Sequence, residues 1–136
     1  MEYTLLRQIT ILSLFFGALL GIITLIPFIN TFSLTFLICF IAPLIIYILI
    51  KYNCLSLNSV KESVVIGAII GFISFLLIKL FKFSANYGMG LIISNANFFI
   101  LTVISIFMAV LAATINAFSG FLTFYIIELL NSINKK

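Results

Sequence analysis

Two stretches of this chain, 8–50 and 83–127, run for 43 and 45 residues without one charged side chain. About 20 predominantly apolar residues cross a bilayer as a helix, so each tract exceeds a single span. The whole chain is 65% hydrophobic and 7% charged, whereas soluble domains are about a quarter charged. A water-soluble globule is excluded.

The first tract divides at Pro27-Phe28-Ile29-Asn30-Thr31, where a proline and two polar residues interrupt the apolar run and suit a tight turn. This predicts helices over 9–28 and 32–50. Pro43 falls inside the second, where a membrane helix tolerates it as a kink. After the polar stretch 51–63, a third helix is expected over 64–82, closed by Lys79 and Lys82 snorkelling to the headgroups. The second tract resists division, because cutting it at Asn95 and Asn97, or at 116–120, leaves one piece too short to span. One continuous helix over 98–129 is expected instead, with 104–127 as its membrane-crossing part. Residues 84–97 read as an interfacial loop, with Gly88 and Gly90 in a turn. The expected fold is all-α: one transmembrane domain, a polytopic and compact four-helix bundle.

With four spans, Arg7, Lys51, Lys61, Lys135 and Lys136 fall on one side and Lys79 and Lys82 on the other. The positive-inside rule then puts both termini in the cytoplasm. Tyr3, Tyr47, Tyr52 and Tyr125 lie toward the same side and Tyr87 toward the other, as interface-seeking residues would. The net charge of +4 is therefore a topology signal, and nucleic acid is not an expected partner. Glu2 and Arg7 precede an apolar run too long for a signal-peptide core and without an Ala-x-Ala site, so cleavage is not expected. Cys39 and Cys54 differ in expected depth, which argues against a disulfide or a metal site.

Small residues recur every three or four positions. The first helix carries Thr10, Ser13, Gly17, Gly21 and Thr24; the second Thr35, Cys39 and Ala42; the third Ser63, Gly67, Gly71 and Ser74. The last carries Thr102, Ser105, Ala109, Ala112, Asn116, Gly120 and Thr123. Such spacing places each set on one helical face. In lipid, helices associate by close backbone approach rather than by hydrophobic gain. Helix packing is therefore assigned to Gly17, Gly21, Gly67, Gly71, Ala109, Ala112, Asn116 and Gly120. Residues 13–24 and 63–74 also align at an offset of 50, with both glycine pairs in register. Convergence on one packing motif is the preferred account of that match, with duplication of a helical hairpin as the alternative.

A first Gly-rich helix ends in Ile26-Pro27 with Asn30 in the turn, a second follows a polar loop at Gly67 and Gly71, and Ser119-Gly120 recur late in the last helix. In this order the chain resembles uncharacterised bacterial four-helix integral membrane proteins. The resemblance covers most of the chain and implies a fold without an activity.

Catalytic chemistry finds few parts. The chain has no histidine, no aspartate and three glutamates, Glu2, Glu62 and Glu128. Its serines lack a base to activate them, and Gly88 and Gly90 lack the rest of a phosphate loop. Glu128 reads as interfacial, and the intramembrane glutamate that a small multidrug exporter needs in its first helix is missing. Lys79 reads as a snorkelling residue rather than part of a pathway. Asn116, deep in the last helix, is expected to hydrogen-bond a neighbouring helix. No enzyme activity, cofactor or metal is expected. The expected function is contact-based: an oligomer or an accessory subunit whose partners are the bilayer, a second copy or another membrane protein. The alternative is a small channel or transporter with its pathway between packed subunits, for which Asn116 and scattered Ser and Thr offer a thin lining.

Overall fold

The computed structural model describes the backbone of residues 3–26, 31–52, 55, 59–88 and 95–133. Side chains of 31–36, 85–88 and 95–97 lie outside that description, as does all of Cys54. Four helices follow one another: α1 Tyr3–Ile23, α2 Thr31–Lys51, α3 Val60–Gly88 and α4 Asn95–Ile133. No strand occurs among the described residues. Tyr3–Ile23, Val60–Ser84 and Phe98–Ile133 are long and apolar enough to cross a membrane, and Leu37–Lys51 is a shorter apolar helix.

Several boundaries differ from expectation, for local reasons. α1 opens six residues early because Arg7 and Gln8 are good helix formers, and a charge limits a membrane span rather than a helix. It closes at Ile23, short of the expected 28. Leu25 and Ile26 N–H donate to the Ile22 and Ile23 carbonyls at 3.0 and 3.1 Å, tightening the chain before Pro27. α3 opens at Val60 because Ser59 caps it: Ser59 Oγ accepts the Glu62 N–H at 3.3 Å. Ser59-x-x-Glu62 is a capping-box sequence. The expected loop over 84–97 is helical at both of its ends. Residues 84–88 continue α3, Gly88 is its last residue rather than part of a turn, and 95–97 open α4. Only 89–94, Gly90 included, lie outside the description between them. The single long helix of the second tract runs 39 residues, about 58 Å at 1.5 Å per residue.

α3 is the hub. α4 packs along it antiparallel: Ser63 meets Gly120, Gly67 meets Asn116, Gly71 meets Ala112, and the Phe83 and Phe98 rings touch edge to face at 5.4 Å. α1 packs in parallel along the later part of α3, with Gly17 against Ser74 and Gly21 against Phe81. α2 crosses α4 at Cys39–Ala42 and adds Ile38, Ile41, Ile45, Ile46 and Leu49 to an aliphatic core with Ile9, Ile66, Ile70 and Ile78. The glycine pairs aligned at offset 50 thus meet different neighbours: those of α1 face α3, and those of α3 face α4.

Beside this aliphatic core Ser13, Ser63, Ser74 and Asn116 are fully buried, while Phe99, Phe107, Phe118, Ile126 and Leu129 of α4 are more than half exposed. An exposed apolar surface this extensive marks contact with a membrane or partner.

Candidate functional site: the small-residue seam

The seam begins where side chains vanish. A Cβ placed on Gly67 would collide with the Asn116 carbonyl oxygen and stand 3.0 and 3.2 Å from Asn116 C and Ala117 Cα. On Gly71 it would lie 2.6 Å from Ala112 O and 2.7 Å from Asn116 Cβ, and on Gly120 2.5 Å from Ser63 O. At these three positions the obstacle includes backbone, which cannot rotate aside. Gly17 is slightly looser, 3.0 Å from Ser74 Cα, and the nearest neighbour of Gly21 is the Phe81 side chain at 2.9 Å. Ala109 and Ala112 are buried on the same face of α4. Toward its start that face opens, since Thr102 is exposed and Ser105 only half-buried. Thr35 lies outside the described side chains.

Close approach brings carbonyls within reach of short hydroxyls. Ser63 Oγ donates to the Gly120 carbonyl at 2.6 Å, tying α3 to α4. Ser74 Oγ donates to the Ser13 carbonyl at 3.2 Å, tying α3 to α1. Ser13 Oγ returns to the Ile9 carbonyl of its own helix at 2.7 Å.

A second knot forms beside Pro43, inside α2. Pro43 has no N–H to give the Cys39 carbonyl one turn back, and its ring crowds that oxygen. Ser119 Oγ fills the place, donating to the Cys39 carbonyl at 3.0 Å. One turn away, Asn116 Oδ1 accepts the Ala42 N–H at 3.3 Å, while Asn116 Nδ2 donates to the Ala112 carbonyl at 2.9 Å. These partners fix the amide's orientation, because the flipped amide would aim a donor at a donor. Asn116 therefore touches α2 through its oxygen and Gly71 of α3 through its Cβ and Nδ2, at full burial.

Several other hydroxyls fold onto their own helices. Thr10 bonds Leu6 O, Thr102 bonds Phe98 O, Thr114 bonds Leu111 O, Thr123 bonds Ser119 O and Ser132 bonds Leu129 O. Among the described residues every buried side-chain nitrogen and oxygen has a hydrogen-bond partner. No three of His, Cys, Asp and Glu stand together there. Glu128 is exposed near the end of α4.

The structure thus brings Gly67, Gly71, Ala112, Asn116 and Gly120 into one α3–α4 contact and leaves Gly17 and Gly21 in a separate α1–α3 contact. A stripe drawn through Asn116, Gly120 and Thr123 omits Ser119, which a step of three from Asn116 and of four to Thr123 reaches equally well, although the proline at 43 signals a carbonyl in need of a donor. Comparison with protein-family models, curated proteins and solved structures finds no match for this chain.

Proposed function

We propose that this is a non-enzymatic integral membrane protein that spans the bilayer four times and acts through helix contacts, as an oligomer or as an accessory subunit of a membrane assembly. The observation that carries the reading is how the buried polar groups are used. Ser63, Ser74, Asn116 and Ser119 each engage another helix's backbone, which leaves little to receive a solute. Asn116, the deepest candidate for a pathway residue, has both ends of its amide occupied. The shared glycine spacing of α1 and α3 is read as convergence on one packing motif, since the aligned residues meet different partners.

Both termini are placed in the cytoplasm, with Arg7 and Lys61 at that end and Lys79 and Lys82 at the other. The α1–α3 and α3–α4 registers agree with this distribution. Flux through reconstituted vesicles tests the contact-based reading. Native protein and Asn116→Ala are expected to leave ion and small-solute permeability equal to that of empty vesicles. Conductance in the native protein that Asn116→Ala abolishes at unchanged melting temperature would replace this reading with a channel.

A further inference from the structure

We infer that the last turns of α4, residues 122–133, form a parallel two-stranded coiled coil with the same segment of a second copy of this chain. The inference rests on the membrane reading above and deepens it, because it names the surface through which copies assemble.

The α3–α4 register sets where α4 leaves the bilayer. Ser63 meets Gly120, and the two helices stay in step as far as the Phe83–Phe98 ring contact. Lys61 and Glu62, just before Ser63, are charged and exposed, so the hydrocarbon extends no further than their level. Ile133 lies 13 residues beyond Gly120 on one unbroken helix without proline, about 20 Å along the axis. The headgroup layer adds only about 5–7 Å on each side. The last two turns of α4 therefore stand in water. Apolar side chains gain nothing by pairing in lipid, but in water they do.

These turns carry an apolar seam. Ile126, Leu129 and Ile133 are more than half exposed and Leu122 nearly half. Their steps of four, three and four follow the 3.5-residue period of a coiled coil. Ile126 and Ile133 take the a positions and Leu122 and Leu129 the d positions, an arrangement that favours two parallel strands. Two copies inserted in one orientation have parallel α4 helices, so the membrane imposes the geometry that this residue choice selects.

The seam is also free and self-compatible. Ile127, on another face of the helix, packs against this chain's own core, which turns the seam outward. No charged residue lies on it, since Glu128 and Asn131 point to other faces, and in-register pairing sets no like charges opposite one another. With Tyr125 and Leu130 alongside, both half-exposed, the seam presents on the order of 600 Å² per copy, about 1,200 Å² for a pair, the lower end of specific interfaces. The segment is helical already, so pairing orders no new chain.

Disulfide trapping in isolated membranes tests the pairing. The full chain, with Cys39 and Cys54 replaced by alanine, carries one cysteine on the seam, Leu129→Cys or Ile133→Cys, or one off it, Asn131→Cys. Brief copper–phenanthroline oxidation is expected to give dimer at both seam positions at about five times or more the yield at Asn131→Cys. In nanodiscs, photobleaching steps should count the native chain as dimers, and Leu129→Glu/Ile133→Glu should lower the dimer fraction about tenfold at unchanged helix content. Equal yields at the three positions, or an unchanged dimer fraction in the double Glu variant, would overturn the coiled coil. A spin label at Leu129→Cys reached by lipid-soluble oxygen rather than by an aqueous relaxant would show the helix end lying on the bilayer and also overturn it. Extraction of the native protein from membranes by alkaline carbonate would overturn the membrane reading itself, a result separate from firm insertion without seam dimers.

Discussion

A glycine in this protein is informative according to what stands opposite its missing side chain. At Gly67 the obstacle is the backbone of Asn116 and Ala117, and at Gly21 it is the Phe81 ring. Gly67→Ala gains about 1 kcal/mol of helix propensity and incurs overpacking of about 1–3 kcal/mol against atoms that cannot rotate away. At Gly21 a turn of the Phe81 ring relieves Cγ and Cδ2 but leaves Phe81 Cβ at 3.0 Å, so part of the overpacking remains. Thermal melts in detergent should therefore show Gly67→Ala further below native than Gly21→Ala; equal melting temperatures for the variants would remove the distinction. Asn116 is governed by hydrogen bonding. Asn116→Ala should cost about 0.6–2 kcal/mol, and Asn116→Leu more, because its branched end meets Gly71 where the amide nitrogen now fits. The same melts check this order, and a more stable Leu variant would contradict it.

At the scale of the helix, α2 and α4 are complementary through a defect. Pro43 deprives the Cys39 carbonyl of a donor, and Ser119 supplies one. Pro43→Ala restores the missing N–H, so Ser119→Ala should cost about 0.5–1.5 kcal/mol in the native background and much less in Pro43→Ala. A double-mutant cycle in detergent measures that coupling, and additive effects would show that the hydroxyl does not serve the proline break. Much of this element level was legible in the sequence. The division of the first tract into two helices, the single long helix of the second tract and the small faces of α1, α3 and α4 follow from apolar length and three-four spacing. Helix ends were less legible, because a charge such as Arg7 stops a span without stopping a helix, and Ser59 caps α3 inside a stretch read only as polar. The Ser119–Cys39 bond was not legible, since which turn of α4 crosses the proline depends on tertiary register. Nor could spacing alone show that the glycines of α1 and α3 serve different interfaces.

For the whole molecule the decisive features are an outer surface of Phe, Ile and Leu around an isoleucine-rich core and a seam of Gly, Ala, Ser and Asn, and the separation of charge between its ends. Helices that meet through backbone contact and short hydroxyls suit a solvent in which apolar side chains gain nothing by hiding. α4 presents the most exposed apolar surface, and at about 58 Å it is longer than a bilayer core, so it tilts or projects past the start of α3. Topology therefore tests the account most directly. After replacement of Cys39 and Cys54, single cysteines at Val60 and Ser84, near opposite ends of α3, are exposed in intact cells to a membrane-impermeant thiol reagent. Four spans with both termini cytoplasmic predict that Val60→Cys is protected and Ser84→Cys is labelled. The reverse pattern would contradict the orientation, and equal labelling of both would contradict a membrane-spanning α3.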